Sequence, residues 1–386
     1  MRSALKAIQG FFMPEQSGLD ERFMRLALDL ASKGGPATRP NPMVGAVVVR
    51  DGTVVGRGYH RRPGGPHAEV EALAEAGQLA RGATLYVTLE PCCHQEKRTP
   101  PCTEAIVGAG VSRVVYASED TNPKVCGRGC RALAEAGIEV ASGVLQKEAD
   151  ILNEVYRKYM ATGLPFVTLK LAMSLDGRIA APSGESRGLS CPESLERVHR
   201  MRLESEAVLV GAGTAVADDP ELTVRLVDNP EDRQPTRFLV DSTLRTPLDR
   251  KIWDQTKAKT VLATTDKADP GKLAELAKRE IEIWTIEAGA DGRVDLGKLV
   301  RKMGLNEYYT LLVEGGGQVA AAMLGAGLVD KIAFYYAPRL IGVKGVPGIG
   351  AIPVGFLGEA QSVRDIVYTN IGMDLLVEGR IGSGTH

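Results

Sequence analysis

The sequence predicts two α/β units joined end to end, and three observations carry this reading. Short β-rich runs alternate with helix-period runs along nearly the whole chain, the pattern of strands covered by helices. The alternation breaks once, at Thr162-Gly163-Leu164-Pro165, and then resumes. The 386 residues also exceed what a single hydrophobic core ordinarily holds. The chain is therefore divided into an N-terminal extension over 1–18, a first unit over 19–163 and a second over 164–386.

In the first unit, "DERFMRLALDLASK" (Asp20 to Lys33) has helical periodicity and stops at Gly34-Gly35. "VGAVVVRDGTVVGRGYH" gives two strands joined at Asp51-Gly52, a hairpin dipeptide. "GGPHAEVEALAEAG" follows as a helix with Val70, Leu73 and Ala74 on its apolar face. A buried strand, "ATLYVTLEP", leads to a helix with prolines at its start, "PPCTEAIVGAG". Strand "SRVVYAS", helix "GRGCRALAEAG" and strand "IEVASGV" come next, then one longer helix from Gln146 to about Ala161.

The second unit opens on the strand "FVTLKLAMSLDGRIA". A helix follows, with a capping box from Ser190 to Glu193 and Pro192 in its first turn, where a missing N–H costs little. Strands "AVLVGAG", "TRFLVDS", "KTVLATT" and "IEIWTIE" precede "YYTLLVEGGG" and the helix "QVAAAMLGAG". Strands "KIAFYYAPRL" and "DLLVEGRI" close the chain.

Net charge is −1 with both signs interspersed, which argues against the basic footprint of a nucleic-acid binder. Local arginine clusters around a small acidic substrate remain compatible with that total. No run approaches the roughly 18 apolar residues of a membrane span. "MRSALKAIQGFFMPEQSG" lacks the apolar stretch and cleavage site of a signal peptide. A cytoplasmic protein with neither membrane nor nucleic-acid partner is the expectation. Its six cysteines are then expected free, metal-bound or catalytic, and Cys92, Cys93 and Cys102 fall within eleven residues.

His67-Ala68-Glu69 alone reads as the solvated start of a helix. Pro91-Cys92 and Cys102 downstream change that reading. The series is similar to the zinc deaminase signature, although nine residues separate these cysteines where the signature has two. One imidazole and two thiolates leave a fourth position on zinc for water, the pattern of a catalytic site. His67 and Cys102 both fall at helix starts, where free N–H groups favour a thiolate. Residues two apart share no helix face, so His67 and Glu69 address one point only if the first turn faces it end-on. Glu69 is then the proton-transferring acid. Two alternatives stay open: Cys93 or His94 closes the site as a fourth ligand, or the cysteines are simply buried small residues.

Five blocks in order, "RPNPMVGAVVV", "PHAEVEAL", "VTLEPC", "RTPPC" and "NPKVCGRG", resemble the bifunctional deaminase–reductase of riboflavin biosynthesis. The resemblance begins near Asp20 and covers nearly all the rest of the chain. It implies a cytidine-deaminase-like layered α/β domain followed by a dihydrofolate-reductase-like α/β domain. It also implies zinc on His67, Cys92 and Cys102, Glu69 as proton shuttle, and Asn41 touching the pyrimidine. The loop "PCCHQEKRTPPC" departs from the family, being one residue longer and without its glycine. That leaves open its substrate contacts and whether Cys93 competes with Cys92 for the metal.

"VLVGAGTAVADDPELTVR" (Val208 to Arg225) contains Gly211-Ala212-Gly213, but Val216 occupies the third glycine position of a dinucleotide fingerprint. Valine is too large for the close helix–strand packing that motif requires, so the reading is rejected. "LLVEGGGQVAAAML" fits better: a strand, Gly315 to Gly317, and a helix start whose N–H groups suit phosphate. An ordinary strand-to-helix turn is its plain alternative. "KLAMSLDGRIA", "SGES", "GAGTAVADDPELTVR", "VDS" and "VEGGG" resemble the family's reductase half, which implies NADPH.

Carried over position by position, Ala172, Gly188, Thr214, Asp218 and Ser242 line the cofactor. So does the run Gly316, Gly317, Gln318, Val319, Ala320, Ala321 and Ala322. Ser186, Arg202, Leu222, Arg225 and Glu314 face the substrate. Asp218 is also the candidate acid–base or orienting group, against a plain reading as a turn acid; Lys170 and Asp176 are further candidates. Where relatives often carry a tryptophan against the cofactor, this chain has Gly188.

The resemblance thus implies zinc-dependent hydrolytic deamination of 2,5-diamino-6-ribosylamino-4(3H)-pyrimidinone 5′-phosphate, then NADPH-dependent reduction of its ribosyl group to ribityl, in a homo-oligomer. Rival readings are a reductase whose zinc domain is structural or impaired by the altered loop, a deaminase of other nucleosides or nucleic acid with an unrelated domain, and a zinc-stabilised nucleotide-binding fold without catalysis. Near-neutral charge argues against the nucleic-acid version.

Overall fold

The computed structural model describes residues 14–93, 101–122, 125–352 and 354–382. It divides into two compact units between Thr162 and Gly163. The first begins with helix α1 (Pro14–Ser32), the hairpin β1 (Gly45–Arg50) and β2 (Thr53–Tyr59), and α2 (Ala68–Ala76). It continues through β3 (Thr84–Leu89), α3 (Cys102–Ala109), β4 (Arg113–Ser118), α4 (Arg128–Glu135) and β5 (Glu139–Ser142). Two helices, α5 (Gln146–Leu152) and α6 (Glu154–Thr162), complete it. α1 takes in the last residues of the stretch read as an extension, 1–18, while 1–13 lie outside the described residues.

The sheet order is β2-β1-β3-β4-β5, antiparallel from β2 to β3 and parallel from β3 to β5. Asp51 and Gly52 turn the hairpin with φ of 50° and 73°, the paired positive values of a type I′ turn. Alternate strand residues point to opposite faces, and helices cover both. Ala46, Val48, Leu85 and Val87 pack with α2, α3 and α4, whereas Val47, Val49 and Tyr86 pack under α1.

α2 buries Ala68, Glu69, Ala72, Leu73 and Ala76. The predicted face was Val70, Leu73 and Ala74, but Val70 and Ala74 are exposed. The packing partner explains the rotation. A Cβ on Gly58 of β2 would stand 2.2 Å from the Ala68 carbonyl oxygen, and one on Gly56 2.1 Å from that of Ala72. The helix therefore lies directly on strand backbone, and its alanine face goes inward. Gly58→Ala is expected to destabilise the first unit by roughly 1–3 kcal/mol through this overpacking, read as a lowered thermal midpoint.

The single helix expected after β5 is broken at Asn153. That side chain accepts from Met43 N (2.8 Å) and donates to Met43 O (2.9 Å), a tie to a distant segment that outweighs helix continuity.

The second unit starts with β6 (Phe166–Ser174), β7 (Arg178–Ala180), α7 (Pro192–Glu204), β8 (Ala207–Gly211) and α8 (Ala212–Asp218). Then come β9 (Thr236–Val240), β10 (Thr260–Thr264), α9 (Pro270–Lys278), β11 (Glu282–Thr285) and α10 (Leu296–Leu305). β12 (Thr310–Glu314), α11 (Gly317–Gly325), β13 (Lys331–Ala337), β14 (Val346–Pro347), β15 (Ser362–Ile371) and β16 (Asp374–Gly382) follow. The nine-stranded sheet runs β11-β10-β9-β8-β12-β6-β13-β16-β15, and β14 pairs with β7.

The strands from β11 to β13 are parallel, and β16 and β15 join antiparallel. The sheet is covered on both faces, with Leu169, Leu209 and Leu311 in one core and Val208, Leu239 and Leu312 in the other. This burial accounts for the near-continuous apolar runs in its strands. The predicted Ser190–Glu193 capping box does not form. Cys191 is the N-cap of α7, without a side-chain cap, and its N–H donates to Asp374 Oδ2 at 2.9 Å.

Candidate functional site

In the first unit, the starts of α2 and α3 converge beyond the carboxyl end of β3. His67 is the N-cap of α2, Cys102 opens α3, and Cys92 stands three residues past Leu89. Their ligand atoms all lie within 4.8 Å of one another. His67 Nδ1 is 3.0 Å from Cys102 Sγ and 3.6 Å from Cys92 Sγ. Zn–N and Zn–S bonds of about 2.0 and 2.3 Å place tetrahedral ligands roughly 3.5 Å apart, so one zinc ion fits this trio. The Cys102 N–H, at a helix start, points to Cys92 Sγ (3.4 Å), an arrangement that favours thiolate.

Glu69 lies in the first turn of α2, only 3 % exposed. Burial, and after it Cys92, pushes its carboxyl above the usual range. The Cys102 thiol is driven up by its hydrogen bond with Cys92, by burial and by Glu69. Each acid raises the next, as in a donor set built around a cation, and one nitrogen with two sulfurs is chemistry that suits zinc. Cys93 does not belong to this group of ligand atoms. His94 and the rest of the altered loop, 94–100, lie outside the described residues.

Asn41 Nδ2 donates to His60 Nε2 at 2.9 Å, and His60 Nδ1 donates to the Pro66 carbonyl at 3.0 Å. The second bond fixes the imidazole tautomer and thereby the orientation of the Asn41 amide. The His60 ring stands edge-on to that of His67, with centroids 5.6 Å apart. Sequence reading passed over His60. The available signal was a second histidine seven residues ahead of His67.

In the second unit, β12 lies between β8 and β6. The loops leaving β8 and β12 therefore open side by side at the carboxyl end of the sheet, where open parallel sheets take ligands. Thr214 Oγ1 accepts from the N–H of Gly316, the N-cap of α11, at 3.1 Å. A Cβ on Gly317 would stand 2.5 Å from the Pro347 carbonyl oxygen, so only bare backbone fits this rim. Gln318 and Ala322 are exposed, Val319 is half-buried, and Ala320 and Ala321 pack inward.

Ala172 is half-buried on β6. Ser242 Oγ accepts from Val294 N at 3.0 Å. Gly188 has φ of 76°, a left-handed conformation that suits glycine and strains any side chain. Ser186 Oγ donates to Asp218 Oδ1 at 2.6 Å, bringing those two candidates together.

A buried charge cluster joins α7 to β12 and β6. Arg202 forks onto Glu314, with Nη2 2.9 Å from Oε2 and Nε on Oε1, and gives Nη1 to the Thr223 carbonyl at 3.0 Å. Lys170 Nζ stands 3.8 Å from Glu314, and burial lowers its pKa. Burial alone would raise Glu314, but Arg202 and Lys170 outweigh it and hold the carboxyl down at about 2. His199, three residues before Arg202, is pushed down to about 4 by burial and by Arg202 and Arg225. Its Nδ1 accepts from Arg225 N at 3.0 Å.

The Arg225 guanidinium is exposed and touches Thr223 Oγ1 (3.1 Å). Leu222, with φ of 55°, turns its side chain into the core. Asp176 accepts from Ser174 Oγ, Ile341 N and Gly342 N, which hold it at about 2; it is an ionised anchor for that loop.

The RibD C-terminal domain family matches residues 165–364. The cytidine and deoxycytidylate deaminase zinc-binding region matches residues 17–118. The riboflavin biosynthesis protein RibD of Aquifex aeolicus is 42% identical over 359 residues, covering 93% of this chain and 98% of that protein. The structure of Acinetobacter baumannii RibD superposes with a TM-score of 0.82 at 36% identity, covering 95% of this chain and all of that one. A Thermotoga maritima structure described as a diaminohydroxyphosphoribosylaminopyrimidine deaminase/5-amino-6-(5-phosphoribosylamino)uracil reductase does so with a TM-score of 0.79 at 33% identity. It covers 95% of this chain and 99% of that one. Among the described residues no helix is long and apolar enough to cross a membrane.

Proposed function

Because the chain belongs to the RibD family of riboflavin biosynthesis proteins, we propose that it performs two successive reactions on one phosphorylated pyrimidine. The first unit hydrolyses the C2 amine of 2,5-diamino-6-ribosylamino-4(3H)-pyrimidinone 5′-phosphate. The second reduces the ribosyl group of the product to ribityl. One observation carries the deaminase half: His67, Cys92 and Cys102 gather their ligand atoms within 4.8 Å, and a buried glutamate lies two residues from the histidine; the reductase half is supported by the family match over residues 165–364.

Zinc held by that trio supplies a Lewis acid that lowers the pKa of water to about 7. Glu69 takes the proton of the attacking water and delivers it to the departing amine. Asn41, its amide oriented by His60, leaves Oδ1 for the pyrimidine edge. In the second unit a bound NADPH would provide hydride chemistry for C1′ of the ring-opened sugar. Thr214 and the backbone at the start of α11 form its phosphate rim. Arg202 is buried and forked onto Glu314, whereas Arg225 is half exposed with only a loose pairing to Glu221 at 3.6 Å, so its guanidinium takes the substrate phosphate. Asp218, held by Ser186, is the acid–base or orienting group at the reacting carbon.

The test supplies the diamino ribotide without NADPH, and separately the deaminated ribotide with NADPH. Ammonia release in the first assay and NADPH oxidation in the second are expected. Oxidation without ammonia reduces the first unit to a structural domain, and ammonia without oxidation removes the reductase role.

A further inference from the structure

Glu90 takes none of the roles above, yet it is only 3 % exposed and lies two residues before Cys92. Its Oε2 accepts from Gly127 N (3.0 Å), and its Oε1 accepts from Gly129 N (2.9 Å) and Cys130 N (3.2 Å). Gly127 is the N-cap of α4, and Gly129 and Cys130 lie in its first turn. One carboxylate thus gathers N–H groups that a helix start leaves without intrahelical partners. Its own N–H donates to the Ser118 carbonyl (2.9 Å), so the side chain projects from a segment tied to the end of β4.

Two further contacts bind the same pieces. A Cβ on Gly129 would stand 2.0 Å from the Pro91 carbonyl oxygen, so the helix start sits directly on the backbone leading to Cys92. Val125, 1 % exposed, packs in one cluster with Cys92 and Cys102.

We propose that Glu90 is a positioning residue for the metal centre. It pins Val125–Gly129 over the two sulfurs and fixes the Pro91-Cys92 backbone from which Cys92 reaches the metal. The inference rests on the zinc reading given above. A carboxylate suits the task because its two oxygens serve three donors at once. Glutamine offers one oxygen and turns an NH₂ toward an N–H.

Partners one step removed from metal ligands commonly change metal affinity about 10–100-fold. The experiment is competition for zinc between a chromophoric chelator and the full-length protein, comparing wild type, Glu90→Gln and Gly129→Ala. Far-UV circular dichroism and thermal unfolding of the zinc-loaded protein are the control for folding of the first unit, and NADPH oxidation with deaminated ribotide is the control for the second. Both variants are expected to bind zinc about 10–100-fold more weakly with the reductase rate unchanged. At saturating zinc, Glu90→Gln is expected to deaminate within a few-fold of wild type, a split that a general loss of fold would not produce. Zinc affinity within twofold of wild type in Glu90→Gln overturns the inference. Should that variant lose its first unit, wild-type affinity in Gly129→Ala overturns it instead. Wild-type protein that binds no zinc overturns the zinc reading together with this one.

Discussion

Glu69→Gln is expected to slow ammonia release about 100- to 10,000-fold, the range general acid–base groups contribute, while zinc content and NADPH-dependent reduction stay at wild-type levels. The substitution keeps the shape of the side chain and removes its ability to carry a proton. Glu69 is buried in the first turn of α2, near enough to Cys92, His67 and Cys102 for each to act on its carboxyl, so the amide has no competing solvent role to mask the loss. The reductase rate is measured on the same sample, because every residue assigned to that site belongs to the second unit. Zinc measured on the purified variant separates lost chemistry from lost metal. Ammonia release at the wild-type rate would remove Glu69 from the mechanism and leave water or another group to move the proton.

The parts of this molecule that were legible in the sequence are those whose causes are local. Asp51-Gly52 announces its hairpin because two positive φ values are needed at adjacent residues. His67 and Cys102 announce helix starts because proline and the onset of helical periodicity lie beside them. The misread features have distant causes. The buried face of α2 is chosen by Gly56 and Gly58 on a different strand. The break at Asn153 is made by Met43, 110 positions away. The α7 cap is displaced by Asp374, from near the end of the chain.

The same distinction holds at the sites. The ligand trio could be read from motif chemistry, whereas the links from His60 to Asn41 and from Glu90 to α4 exist only once the chain has folded. Arg202 and Glu314 were both assigned to substrate, and nothing in their spacing showed that they hold each other.

That pair sets the largest stability effect expected in the second unit. Glu314→Ala is expected to cost about 3–5 kcal/mol, the penalty for breaking a buried ion pair and leaving its partner unpaired, and to abolish reduction while leaving deamination in place. The variant strands Arg202 and Lys170 next to His199, with no carboxylate among them at this position.

Glu314 titrates near 2 in the folded chain, below the ordinary carboxylate value of about 4.3. Its stabilisation is therefore complete above that ordinary value and is lost as pH falls toward 2. His199, neutral down to about 4 when folded, acts in an earlier window. The unfolded chain takes up its proton below about 6.5, so stability already declines between there and pH 4. Unfolding of the second unit, followed by denaturant titration from pH 7 to pH 3, should decline through both windows in the wild type. Glu314→Gln should be weaker at neutral pH and lose only the lower window. If Glu314→Ala kept wild-type stability, Arg202 and Lys170 would have to find other acceptors, and the fork onto Glu314 would not be what holds α7 against β12.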